Sequence, residues 1–240
     1  MDLRHSPEVW RVDLHAHTRA SRDALTRPAE LVERAARAGL HRIAVTDHGE
    51  VEGALEARAA GGERVIVGQE VRCRCGTELI GLFLAERVPM RLPLEEAVER
   101  IRAQGGLVYA PHPFAYATGA AWRSGRVLAV ADVVEVFNSR AFLPAWNRRA
   151  AAAARARGLP AAASSDAHFP WEVGRAWTEV PPFTDAASFL EAARRAVPVG
   201  VRTANPFIHA ASLGVYTVRT AFRHIDRPDP ERVRLAGGKS

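Results

Sequence analysis

A rhythm in the chain constrains its fold more than any single motif: short apolar runs alternate with longer amphipathic stretches, and nearly every run stops at a histidine or a carboxylate. Residues 9–14 read as a first strand. Residues 28–38 read as a helix, with Thr26 as its cap, Pro28 in its first turn and Gly39 as its stop. A strand over 41–46 and a helix over 51–60 come next. Two neighbouring strands over 64–71 and 78–84 follow, joined by a turn at Gly76. The second half continues with a helix over 93–104, a strand over 106–110, a helix ending at 127–131 and a strand over 132–137. A helix over 144–157 stopped by Gly158 and a strand over 160–164 complete the pattern. Strand–helix units at this spacing predict parallel strands with right-handed crossovers. After about Asn205 the alternation fades, which predicts a barrel over 1–205, then a helical cap and a loose tail of the same domain over 206–240.

An open sheet and a closed barrel both fit the rhythm. The polar residues separate them. The first strand delivers Asp13, His15 and His17, with Asp23 soon after, and the second ends in Asp47-His48. The third ends near Glu70, the strand at Gly106 runs into His112, and the strand at Pro160 runs into Asp166 and His168. In a parallel barrel all strand C-termini share one rim, so residues far apart in sequence converge. A histidine alone at a strand end is usually structural, and His5, His41, His209 and His224 read that way. The pairs His15/His17 and Asp166/His168 differ, because alternate residues of an extended segment share a face. So many imidazoles and carboxylates at one rim would be costly to bury without cations. Nitrogen and oxygen donors without thiolate suit Zn, Mn or Fe.

Composition limits the alternatives. With 240 residues, 48% of them hydrophobic and 25% charged, the chain fits one sizeable α/β domain. The net charge of +6 comes almost wholly from arginine scattered over helices, which reads as a solvated face that also attracts anions. Cys73 and Cys75 are too few for a disulfide framework or a structural zinc site and read as packing. No apolar run reaches membrane-spanning length, and the first residues lack a signal-peptide core. The expectation is a soluble cytoplasmic protein with no obligate protein partner.

Six segments in order resemble one family. Val12-Asp13-Leu14-His15-Ala16-His17-Thr18, with Ser21 and Asp23, is similar to the opening motif of the PHP (polymerase and histidinol phosphatase) family. Ala44-Val45-Thr46-Asp47-His48 resembles its second motif. Gly68-Gln69-Glu70-Val71, Ala110-Pro111-His112-Pro113-Phe114, Val134-Glu135-Val136-Phe137-Asn138 and Ser164-Ser165-Asp166-Ala167-His168 resemble the later ones. The likeness runs from about Val9 to Ala176.

The resemblance implies an α/β fold, a distorted (β/α)7 TIM-like barrel with two or three divalent metal ions. His15, His17, Glu70 and Asp166 would hold one ion, and Asp23, His48 and His168 a second. Glu70 would bridge to a third, shared with His112. The family often adds a further histidine to that third site, but residues 77–83 contain none. Glu78 is the candidate substitute, with Glu135 and Asn138 behind it. The implied activity is hydrolysis of a phosphate ester by metal-activated water. Asp47 would orient His48 or His17, Arg19 and Arg140 would clamp phosphate, and Arg175 is a weaker candidate. Ser21 has no free histidine to activate it, so covalent serine chemistry is not expected. The expected substrate is a small phosphorylated molecule, such as a nucleotide or a short oligonucleotide. Histidinol-phosphate hydrolysis, trimming of oligonucleotide ends and a non-catalytic metal- or phosphate-binding module are the competing readings.

Overall fold

A computed structural model describes residues 8–115, 124–203 and 207–225, with side chains as far as 221. The sequence-predicted tail over 226–240 lies outside the described residues, as does His5, and His224 falls where no side chain is described.

The strands form one nine-stranded sheet in the order β7-β6-β5-β4-β3-β2-β1-β8-β9. They are β1 (Trp10–Asp13), β2 (Arg42–Val45), β3 (Val65–Arg72), β4 (Glu78–Leu82), β5 (Leu107–Ala110), β6 (Val133–Asn138), β7 (Ala161–Ser164), β8 (Ala176–Val180) and β9 (Val197–Gly200). The helices are α1 (Pro28–Arg37), α2 (Glu52–Gly61), α3 (Leu94–Ala103), α4 (Ser124–Leu128), α5 (Pro144–Arg157), α6 (Ala186–Ala193) and α7 (Phe207–Ile225). None of the described helices is long and apolar enough to cross a membrane.

The sheet curls into a nearly closed barrel. Beyond the named strands, Asp166 N–H donates to His15 C=O and His17 N–H to Ala167 C=O, both at 2.8 Å, so the chain after β1 pairs with the chain after β7. At the opposite end β8 and β9 wedge in beside β1. There Thr178 Oγ accepts from Ala163 N–H at 2.8 Å, where a regular ladder would have run. This is the distorted seven-stranded barrel expected from the motifs, with two added strands that the alternation did not show.

Parallel pairing holds for β1-β2-β3 and β5-β6-β7, but β4 runs antiparallel to both neighbours. A turn joins β3 to β4, and a parallel crossover needs about a dozen residues. The start of β4 therefore lies at the rim where its neighbours end, which puts Glu78 beside Arg72 in register.

Val12, Leu14, Ile66, Ile80, Leu82, Tyr109 and Val133 fill the barrel's interior, and two further apolar clusters seal helices against its outside. Gly39 ends α1 at φ 73° and Gly158 ends α5 at φ 64°, as their positions predicted. Thr26 does not cap α1: Arg27 occupies the cap position without a side-chain bond, and Thr26 Oγ1 reaches His168 C=O at 3.4 Å instead. The helix expected to end at 131 stops at Leu128 and gives way to a turn.

Candidate metal centre

The rim places its side chains on extensions of the strand ladder, where the backbone is fixed on both sides. Thr46 N–H donates to Ala16 C=O at 2.8 Å, Gly49 N–H donates to Glu70 C=O at 2.9 Å, and His48 bridges Glu70 in parallel. Asp166 and His112 both have left-handed backbones, at φ 53° and φ 27°. Non-glycine residues held this way are strained, and such strain collects at functional sites.

Four donor atoms converge at the floor. His15 Nε2 lies 3.0 Å from His17 Nε2, 3.3 Å from Glu70 Oε2 and 3.5 Å from Asp166 Oδ1. His17 Nε2 lies 3.5 Å from Glu70 Oε2 and 3.3 Å from Asp166 Oδ1. An ion with ligands at about 2.0–2.1 Å in a tetrahedron requires donor separations of about 3.3–3.4 Å. The observed edges bracket that figure, and one proton cannot serve them all. The donor set fits a cation.

A second group joins it. Asp23 Oδ2 lies 3.5 Å from His48 Nε2 and 3.3 Å from His168 Nε2. On the far side of Glu70, its Oε1 lies 3.5 Å from His112 Nε2. Glu78 comes into the same wall with Oε2 unpartnered.

The Nδ1 contacts fix which ring nitrogen each histidine turns to the other donors. A carboxylate or carbonyl oxygen can only accept, so each Nδ1 facing one must carry the proton. That holds for His15 Nδ1 against Glu135 Oε1 at 3.2 Å, His48 Nδ1 against Glu70 Oε2 at 3.0 Å, and His168 Nδ1 against Asp166 C=O at 2.9 Å. His17 Nδ1 faces Ser21 Oγ at 3.2 Å; that hydroxyl donates its only proton to Asp47 Oδ1 at 2.7 Å. It must therefore accept from His17. With Nδ1 engaged in this way, these four imidazoles offer Nε2 to the cluster, and an ion bound there would displace the second proton that the carboxylates draw onto His15 and His48.

Charge follows the same geometry. Burial works against charge on His15 and His48, but carboxylates outweigh it and raise both: Asp166 and Glu135 at His15, Glu70 and Asp23 at His48. His17 is lowered by burial and by His168 and His48. Burial opposes ionisation of Glu70 and Asp166, yet both are held well below the usual carboxylate range, Glu70 chiefly by His48 and Asp166 chiefly by His15. Burial and the neighbouring Glu70 push Glu78 up to about 7.

The expected residues thus meet, with corrections at the edges. Asp47 touches no other donor of the cluster directly. It accepts from Thr18 N–H and Oγ1 at 2.7 Å each and acts on His17 through Ser21. Glu135 and Asn138 are not free to bind an ion. Glu135 Oε2 accepts from His112 N–H at 2.6 Å, while Asn138 Nδ2 donates to Glu135 Oε2 at 2.9 Å and to Asp166 Oδ2 at 3.1 Å. Arg19 is half exposed and turns to Glu56 at 3.6 Å, outside the cavity wall. Arg140 does line the cavity but is already held by Glu172 at 3.2 Å and Ser212 Oγ at 2.8 Å. Arg175 faces Glu172 at 3.9 Å, away from the cavity. Cys73 packs in the core, where burial pushes its thiol up to about 12.

Above the cluster lies a cavity of about 1060 Å³. Arg22, Arg72 and Arg87 stand in its wall, and a sequence this rich in arginine gave no sign of which ones would. Helix α7 forms one side through His209, Ser212, Leu213 and Tyr216. Arg219 fastens that helix, donating to the carbonyls of Arg19, Ser21 and Ala24 at 2.7–3.0 Å. His209, which reads as structural in the sequence, donates from Nε2 to Arg140 C=O at 2.8 Å and also faces the cavity.

A family model described as the PHP domain matches residues 13–105, and one described as PHP-associated matches 144–198. The uncharacterized protein MJ0417 of Methanocaldococcus jannaschii is 37% identical over 173 residues, covering 70% of this chain and 69% of that one. The chain belongs to the PHP family. Solved structures agree in fold. One is a two-domain protein from Bacteroides vulgatus containing a predicted PHP-like metal-dependent phosphoesterase; its TM-score is 0.68 at 20% identity, over 81% of this chain and 65% of that one. The lesion-specific endonuclease PfuEndoQ of Pyrococcus furiosus superposes with a TM-score of 0.58 at 15% identity, over 83% of this chain and 60% of that one. The PHP chain here spans less than two thirds of the length of either of these larger structures.

One contact behind the PHP site can be tested directly. A Cβ on Gly53 of α2 would lie 2.2 Å from Asp47 Oδ2 and 2.4 Å from Thr18 Oγ1. Gly53→Ala should therefore lower the melting temperature, although alanine is the better helix former. A thermal melt showing a gain would mean that Asp47 is not fixed as described.

Proposed function

We propose that this chain is a metal-dependent phosphoesterase that hydrolyses the phosphate ester of a small anionic substrate. The observation that carries the reading is the set of inward-facing donors from His15, His17, Glu70 and Asp166, spaced for a cation. Asp23, His48 and His168 would hold a second ion beside it. Bound divalent ions supply an acidified water and charge neutralisation on phosphoryl oxygens. Zn, Mn and Fe all suit these donors.

The chain's own residues do the rest. Glu135, Ser21 and the Asp166 carbonyl keep three imidazoles in one tautomer. Arg22, Arg72 and Arg87 give the cavity wall positive charge for an anion, and the cavity's size accommodates a nucleotide or a short oligonucleotide end. Structural relatives described as containing a predicted metal-dependent phosphoesterase and as a lesion-specific endonuclease support phosphate-ester chemistry.

Chelated protein should be inert towards an aryl phosphate and regain turnover with Mn²⁺ or Zn²⁺. A panel of nucleoside monophosphates, bisphosphates, short oligonucleotides and histidinol phosphate would then rank substrates. Stoichiometric metal without turnover on any of them would replace the enzyme reading with a binding module.

A further inference from the structure

Helix α7 lies outside both family matches, which end at residues 105 and 198, yet it walls the cavity. His209, Ser212, Leu213 and Tyr216 recur at helical spacing and so form one stripe, turned to the cavity. The stripe is held at both ends. Arg140 fixes one end: its carbonyl accepts from His209 Nε2 and its guanidinium donates to Ser212 Oγ, both at 2.8 Å. Arg219, one turn beyond Tyr216, fixes the other through the carbonyls of Arg19, Ser21 and Ala24. Those carbonyls belong to the loop that carries Asp23, so the helix is tied to the frame of the donor cluster.

Between the two clamps stand apolar side chains that the fold leaves uncovered. Leu213 is 65% exposed and Tyr216 43% exposed, and neither joins an apolar cluster of the core. A leucine exposed on an open surface is ordinary. These two instead line a cavity whose floor is charged, and Met90 adds a further apolar side chain to the wall. Covering apolar surface with a ligand is favourable, and ligand cavities combine such walls with a few fixed polar groups. The donor cluster is the polar end, where a phosphoryl group would sit. The apolar wall is left for the rest of the ester.

We infer that α7 sets substrate specificity, with Tyr216 and Leu213 forming the contact surface for an apolar, ring-bearing leaving group of the phosphate ester. The inference rests on the phosphoesterase reading for where phosphate binds, and goes beyond it in naming the alcohol half of the substrate. Contacts remote from the reacting phosphorus are made equally in the ground and transition states, so they act on KM rather than kcat.

The test uses the metal-loaded full chain with phenethyl phosphate and glycerol phosphate, two alkyl esters of which only the first carries a ring. The matching non-hydrolysable phosphonates report binding by calorimetry. Tyr216→Ala and Leu213→Ala should each raise KM for the ring-bearing ester by about tenfold, with kcat kept and glycerol phosphate unaffected. Tyr216→Phe should behave as wild type, because the ring makes the contact. Val218→Ala, on the same helix but outside the cavity wall, should change nothing and controls for a loosened helix. Equal changes for both esters, or the same loss from Val218→Ala, would make α7 a mere support and overturn the inference. Wild-type turnover of both esters with no preference for the ring overturns it too, and leaves the phosphoesterase reading intact. Ring-selective phosphonate binding without hydrolysis of either ester overturns the enzyme reading and keeps the wall. A metal-loaded chain that binds neither phosphonate removes both.

Discussion

Asp166→Asn should lower turnover on an aryl phosphate by about a thousandfold or more, because a metal-held charge is worth several kcal/mol to the transition state. Asparagine is the informative replacement. It matches aspartate in size and tolerates the left-handed backbone found at φ 53°, so the fold should survive. What it removes is the anionic Oδ1 that approaches His15, His17 and His168 at 3.3–3.5 Å. Steady-state kinetics, elemental analysis and a thermal melt should together show a folded chain, short of metal and nearly inactive. Wild-type turnover in this variant would remove the site.

Glu135→Gln should weaken metal binding by about 10–100-fold, the usual cost of losing a partner that orients a ligand. Geometry dictates how. The position of Oε2 accepts from His112 N–H and Asn138 Nδ2, so the glutamine's oxygen must take it. Its NH2 then faces His15 Nδ1, which can no longer be the protonated nitrogen. The proton moves to Nε2, which points into the donor cluster. Metal titration gives the affinity, and nitrogen-15 NMR of the imidazole reports the tautomer. If both match the wild type, Glu135 has only a packing role.

The two variants show where reading the sequence succeeds and where it stops. His15, His17, His48, Asp166 and His168 were legible because alternating strands and helices bring strand ends to one rim, and chemistry at a rim needs certain residue types. Glu135 was visible only as one of several carboxylates. Its task depends on which oxygen meets which nitrogen, and strand periodicity carries no such information. Strand β9 escaped notice because it is four residues long and contains Pro198, which gives it no clear alternation. The cavity arginines were hidden by abundance: Arg19 and Arg72 look alike in sequence, and only the register of β3 with β4 brings Arg72 inward. Glu78 was the one departure from the family's pattern that the sequence exposed, since a missing histidine stands out among so many.

The left-handed backbones at His112 and Asp166 set heat resistance and chemistry against each other. Glycine at either position would relax the main chain and, by that measure alone, toughen the molecule, but it would delete a donor. A lineage selected only for endurance would drift towards glycine there. Keeping histidine and aspartate in these awkward postures makes sense only while the work done at the rim is worth more than the ease given up.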